Sequence, residues 1–192
     1  MKIAFVDIET GGLEPSRPIT QIAAVIVEPR IEGWAELTVM EEKIQFDEAE
    51  ADPVALELTG YTAERWRHSS PIDVALHALA RGLRLHLDVE MTSKKPPFRP
   101  YKVITSAGHN PRFDHERLRA AAKDADVFLA LHPRALDTCQ LALWLLPGLP
   151  DYKLGTVCKR LGIAQGGHDA LGDARASARI AEILLANAKI QL

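Results

Sequence analysis

Apolar residues in the first part of the chain fall in short blocks rich in β-branched side chains: KIAFVDI (2–8), ITQIAAVIV (19–27) and GWAELTVM (33–40). Gly11-Gly12, Pro15, Pro18, Pro29 and Gly33 break the pattern between them. The alternation predicts three strands joined by short turns and paired antiparallel with their neighbours. After Pro53 the spacing turns helical. PVALEL and TAERW are short helical stretches, and Ile72, Leu76, Leu79, Leu83 and Leu87 recur at helical intervals behind Ser70-Pro71. Ser70 as cap and Pro71 at the first helical position predict a helix to about Leu87 that covers one face of the sheet.

Residues 88–102, DVEMTSKKPPFRPYK, carry three prolines and the cations Lys94, Lys95, Arg99 and Lys102. They read as a long loop inside one domain, either simply solvated or touching phosphates. Beyond it, KVITSAG predicts a buried strand, NPRFDHERLRAAAKDA a helix capped by Asn110, and ALDT a short strand. Three helices follow at about 138–146, 153–162 and 169–188. Strands first, then strand and helix in alternation, imply an α/β domain with a mixed sheet.

Composition narrows the class without naming a chemistry. With 192 residues, 47% of them hydrophobic, the chain suits one domain over 1–192. A net charge of -3 gives no global basic field for nucleic acid, so a polyanion would be held by local cations or bound metal. Cys139 and Cys158 lie apart in apolar stretches, as buried thiols of a reducing compartment do. MKIAFVDIET has no signal-peptide pattern and no apolar run reaches membrane-spanning length, so a soluble cytoplasmic protein is expected.

Three short motifs carry candidate chemistry. DIETGG ends the first strand, where Asp7 and Glu9, two apart, share a face. HNPRFD follows a later strand and places Asp114 in the first turns of a helix. HDALGDARAS opens the last helix, with Asp169 as its cap, His168 before it and Asp173 after. Each alone has a bland explanation: a surface acid pair, or acids favoured by a helix dipole. His109, His115 and His168 match no usual zinc spacing, and His115 reads as an exposed helix residue.

Taken in order, the D-x-E, N-x-x-F-D and H-x(4)-D motifs resemble those of the DEDDh family of 3′ to 5′ exonucleases, the DnaQ-like group that includes the proofreading epsilon subunit of bacterial DNA polymerase III. The likeness runs along nearly the whole chain. ITQIAAVIV resembles the family's second strand and DPVALELTGYTAE its P-x-A-x-x-x-x-G-x-T-x-E segment, and ALDT, YKLGTVCKRLGI and HDALGDARA keep the family's order. Gly11 departs from a common threonine and Thr59 from a common histidine, which bears on substrate preference.

The resemblance implies a ribonuclease H-like fold: a central mixed five-stranded sheet of order 3-2-1-4-5, strand 2 antiparallel, flanked by helices. It implies a site of Asp7, Glu9, Asp114, His168 and Asp173. The four acids would hold two divalent cations, Mg2+ or Mn2+, roughly 3.5 to 4 Å apart, which activate water and stabilise the leaving 3′ oxygen. His168 would be the general base and 5′-nucleoside monophosphates the product. Thr10, Gly11, Gly12, Leu13, Thr59, Asn110 and Phe113 fall where the family meets the terminal nucleotide. Leu13 suits a base contact or core packing equally. Single-stranded or frayed DNA 3′ ends are the expected substrate. An exoribonuclease of RNase T or oligoribonuclease type is the alternative, and a catalytically silent nucleic-acid-binding module a third reading. No polymerase partner is evident.

Overall fold

The computed structural model describes residues 1–164 and 167–188. The three apolar blocks form the expected meander: β1 (Ile3–Thr10), β2 (Ile19–Arg30) and β3 (Gly33–Lys43) pair antiparallel, with Val6 opposite Ala24 and Val25 opposite Val39. β4 (Val89–Thr92) pairs antiparallel with the start of β5 (Pro100–Gly108), whose second half runs parallel to β1. β6 (Leu131–Asp137) lies parallel to β5.

Residues 88–102 are therefore not a loop throughout but a hairpin. Pro96 and Pro97 occupy its turn and Pro100 opens β5, positions where a missing amide costs little. The sheet has six strands, not five. With β4 set aside, the remaining order β3-β2-β1-β5-β6 reproduces the expected topology.

Period-two alternation sorts β1 onto two faces. Ala4, Val6 and Ile8, with Ile22, Ala24 and Ile26, pack beneath α2 (Ile72–Arg84) and α3 (Arg112–Asp124) through Leu76, Leu79, Leu83 and Leu118. On the opposite face Ile3 and Phe5 meet Ala174, Ala178 and Ala181 of α6 (Ala170–Asn187). The same alternation carries on to Asp7 and Glu9, so both acids emerge on the α6 face. Alanines at that contact let the helix lie close to the sheet. α4 (Thr138–Leu145) and α5 (Leu154–Leu161) cover its far side, where Ala142, Val157 and Cys158 pack against Ala176, Ile180 and Leu184.

Local starts differ from the expected ones where a polar group found a distant partner. Ser70 does not cap α2. Its amide donates to the Lys43 carbonyl at 2.8 Å and its hydroxyl to Glu42 at 3.2 Å, which leaves Pro71 as the cap residue. The helix ends at Arg84, short of Leu87. PVALEL forms α1 (Pro53–Leu58), but TAERW is a turn pinned by Trp66, whose indole N–H donates to the Thr20 carbonyl at 2.9 Å. Asn110 does not cap α3 either. It is left-handed, with φ 57°, and its amide donates to Asp137 Oδ1 at 3.0 Å. Both cysteines are free, Cys158 buried and Cys139 half-buried. Among the described residues no helix is long and apolar enough to cross a membrane.

Candidate active site

The three motifs meet at the carboxyl ends of β1 and β5. Asp7 and Glu9 flank Ile8 at the end of β1, and the Ile8 amide donates to Asp114 Oδ1 from the first turn of α3 at 3.3 Å. Asp173, buried in the first turn of α6, comes in over the same strand end. Asp169 is the N-cap of that helix as expected, its Oδ2 accepting from the Gly172 amide at 3.0 Å. His168 precedes it, exposed and left-handed at φ 60°, directly after Gly167 at φ 69°. Such a conformation is sparse for a residue bearing a side chain. It turns the histidine toward the acids: ligand atoms of Glu9, His168 and Asp173 all lie within 4.8 Å of one another.

The electrostatics of the cluster are strained. Burial, and then the charges of Asp114, Glu9, Asp173 and Asp169, push the Asp7 carboxyl well above the usual carboxylate range. Glu9 is pushed up to about 8 by burial and by Asp173, Asp114 and Asp169. Burial raises Asp114 to about 6, against the lowering effect of the Ile8 and Asp114 amides. Like charges this close resist joint ionisation, and a bound cation relieves them. An oxygen-dominated set with one imidazole suits a hard divalent cation better than the cysteine- and histidine-rich sets of structural zinc. Glu9, His168 and Asp173 bring their ligand atoms together for it, with the charges of Asp7 and Asp114 acting on the same group.

The residues expected at the terminal nucleotide divide into two groups. Leu13 is 84% exposed in the loop that follows β1, which rules out core packing for it. Asn110 is exposed and Phe113 half-buried, its ring 5.9 Å from the Arg117 guanidinium. Other members are taken up by the loop's own structure. The Thr10 hydroxyl donates to the Gly12 carbonyl at 2.8 Å, and Gly12 is buried with φ 146°. Gly11 is buried too: its amide donates to the Pro18 carbonyl at 2.8 Å, and a Cβ there would stand 2.7 Å from the Ala51 Cβ. Thr59, 8% exposed, caps the end of α1 and donates its hydroxyl to the Leu56 carbonyl at 3.2 Å.

Two features escaped the sequence reading. His115 is not exposed. It is 5% accessible, on one stripe with Leu118 and Ala122, and burial, helped by Arg119, lowers its imidazole to about 4. The 115, 118, 122 spacing was the available signal. Arg117 donates to the backbone carbonyls of Glu14 and Arg17, tying the Leu13 loop to α3. His109 is set apart from the cluster: its ring nitrogens bond Thr138 Oγ1 at 2.9 Å and the Tyr152 carbonyl at 2.8 Å.

A central mixed sheet flanked by helices, with acids at the carboxyl ends of its parallel strands, is the ribonuclease H-like fold found in exonucleases. The exonuclease family model named RNase_T matches residues 101–181, which include Asp114, His168 and Asp173. Exonuclease I superposes with a TM-score of 0.72 at 20% identity, covering 96% of this chain and 41% of that one. E. coli exonuclease I in complex with a dT13 oligonucleotide gives 0.71 at 19% identity, over 96% and 41% of the two chains. The zinc-bound form of an E. coli exonuclease I complex with single-stranded DNA gives 0.71 at 18%, over 96% and 40%. The chain thus spans about two fifths of the length of these relatives. No curated protein matches the sequence significantly.

Proposed function

We propose that this chain is a divalent-cation-dependent 3′ to 5′ exonuclease of the DnaQ-like superfamily, acting on single-stranded DNA ends. The observation that carries the reading is the convergence of Glu9, His168 and Asp173 within 4.8 Å, beside Asp7 and Asp114, from three separate segments of the chain. The matched exonuclease segment and the DNA-bound structural neighbours support it. A silent binding module has no use for four mutually repelling acids and a histidine held in a strained backbone.

In this reading two cations of the Mg2+ or Mn2+ type, when bound, lower the pKa of water and neutralise charge on the phosphodiester. The chain's own residues do the rest. His168 accepts the proton that water gives up as its oxygen bonds to phosphorus. The bond from phosphorus to the 3′ oxygen breaks, that oxygen takes a proton from solvent, and a 5′-nucleoside monophosphate leaves. Exposure leaves the imidazole able to exchange its proton with solvent between turnovers. Leu13 offers an apolar surface to the terminal base, and the exposed Asn110, just ahead of α3, a polar group.

Matched single-stranded DNA and RNA, with free and blocked 3′ ends, incubated with Mg2+, Mn2+ or chelator, test the proposal. Release of mononucleotides from free DNA 3′ ends with cation alone is expected. Cleavage that persists in chelator, or that ignores the block, overturns it. Faster cleavage of RNA would keep the chemistry and move the substrate to the exoribonuclease alternative.

A further inference from the structure

Gln21 is 1% exposed near the start of β2, followed by the apolar run from Ile22 to Val27. A buried primary amide is costly unless each of its polar atoms is satisfied. Gln21 lies directly opposite Glu9 across the β1–β2 pair and opposite Lys43 across β2–β3, so its side chain stands on the α6 face with the acids. Its Nε2 donates to Asp169 Oδ1 at 3.1 Å and to Glu41 Oε1 at 2.9 Å, and its Oε1 accepts from the Ala170 amide at 3.4 Å. Lys43 holds Glu41 in turn, at 3.3 Å. The second oxygen of Asp169 caps the Gly172 amide. One hydrogen-bonded chain thus runs from β2 into the first turn of α6.

That chain acts at the very start of α6. Further along, the helix meets the sheet through the small side chains of Ala174, Ala178 and Ala181, and is tied to β3 by Arg175, which pairs with Glu36 at 3.0 Å, and by Glu182, which accepts from the Trp34 amide at 3.1 Å. Sub-ångström placement of His168 and Asp173 needs a directional contact at the helix start. The left-handed His168 is also held only as firmly as its neighbour Asp169, since strained backbone persists where its surroundings over-determine it.

We infer that Gln21 is a positioning residue, which clamps the start of α6 to β2 and so holds His168 and Asp173 against Glu9. What the held residues do rests on the exonuclease reading above; that they are held does not.

The test compares the wild type with Gln21→Met, which keeps the bulk and removes the hydrogen bonds. A second variant, Gln21→Glu with Asp169→Asn and Glu41→Gln, exchanges donor and acceptor across both contacts and leaves the Ala170 amide its acceptor. Ile26→Val, on the opposite face of β2, controls for a plain loss of core stability. Readouts are kcat and KM on single-stranded DNA, Mn2+ affinity by electron paramagnetic resonance, and hydrogen exchange of the 170–173 amides.

Gln21→Met should lower kcat and Mn2+ affinity about 10–100-fold, as loss of a ligand-orienting contact does elsewhere, with KM little changed. Exchange at 170–173 should quicken, and the donor–acceptor exchange should restore all three. Unchanged kcat and Mn2+ affinity in Gln21→Met, the same losses in Ile26→Val, or an exchanged variant no better than Gln21→Met would each overturn the inference. A wild type that cleaves no nucleic acid would sink the proposed function instead, and the Mn2+ and exchange measurements would still decide for or against Gln21.

Discussion

The carboxylate of Asp114 accepts a hydrogen bond from the backbone amide of Ile8 at 3.3 Å, joining the start of α3 to the strand segment between Asp7 and Glu9. One side chain therefore both supports the fold and adds charge to the cluster. The two roles separate by substitution. Asp114→Asn keeps an acceptor for the Ile8 amide and removes a charge that pushes Asp7 and Glu9 up, so metal-free thermal stability should hold or rise while activity falls at least about 100-fold. Asp114→Ala also orphans the buried amide and should lose about 1–3 kcal/mol. Thermal melts in chelator beside rates in Mg2+ check both; equal melting of the two variants would contradict the tether.

Stability of the metal-free protein should fall as pH rises through neutrality. Glu9 gives up its proton at about 8 in the folded chain against 4.5 ordinarily, and Asp7 and Asp114 shift the same way. The folded state binds these protons more tightly than the unfolded state does. Its advantage is complete below the ordinary carboxylate range and is lost as pH climbs toward about 8. Melts in chelator from pH 5 to 8.5 should therefore decline. Mg2+ or Mn2+ should raise Tm more at pH 8 than at pH 5, because the cation meets carboxylates already ionised. A metal-induced shift independent of pH would contradict the cluster's electrostatics.

Much of this was legible in sequence because it depends on local spacing. The strand period put Asp7 and Glu9 on one face, and the cap residue Asp169 fixed where α6 begins. What stayed hidden depends on partners far along the chain. Ser70 and Asn110 carry good cap chemistry, yet the β3 end claims one and Asp137 the other. The proline-rich stretch hid a hairpin because its prolines sit where no ladder amide is needed. Gln21 stands beside Thr20 at the head of an apolar run, but its meaning needs Asp169, 148 positions away.

Gly11 is small because of its neighbour. A Cβ at this position would stand 2.7 Å from the Ala51 Cβ and 3.1 Å from the Ala51 Cα. The Ala51 backbone is fixed by the Gly11–Asp52 hydrogen bond at 2.6 Å and cannot easily yield. Gly11→Ala should destabilise by about 1–3 kcal/mol through overpacking. Gly11→Ala with Ala51→Gly should recover most of that loss. Denaturant unfolding of the two variants decides it, and full additivity of the two substitutions would show that the contact is not the cause.

His168 and Asp7 should fail in different ways. Asp7 lies among the acids and would be a metal ligand, whereas His168 is exposed and would act on water. Asp7→Ala should abolish activity and weaken Mn2+ binding. His168→Ala should lower kcat about 100- to 10,000-fold, the range of general base catalysis, with Mn2+ binding largely kept. Calorimetric Mn2+ titration beside single-turnover rates separates the two. Equal loss of metal affinity in both variants would place His168 among the ligands, as its nearness to Glu9 and Asp173 also allows.

Leu13 tests the nucleotide end of the site. A leucine 84% exposed on a hydrogen-bonded loop contributes almost nothing to folding, so its truncation reads out binding alone. Leu13→Ala should leave Tm unchanged, since substitutions at exposed positions usually stay within about 0.5 kcal/mol. If the side chain packs on the terminal base, losing its apolar surface should raise KM for single-stranded DNA about tenfold, equivalent to burial of roughly 50 Å². Arg117, which anchors the same loop through the Glu14 and Arg17 carbonyls, gives an independent check. Arg117→Met should raise KM in the same direction, and Leu13→Ala added to it should cost little more, because a loosened loop no longer presents the leucine. A KM unmoved by Leu13→Ala would remove this residue from the binding surface and leave Asn110 and Phe113 as the groups to test there.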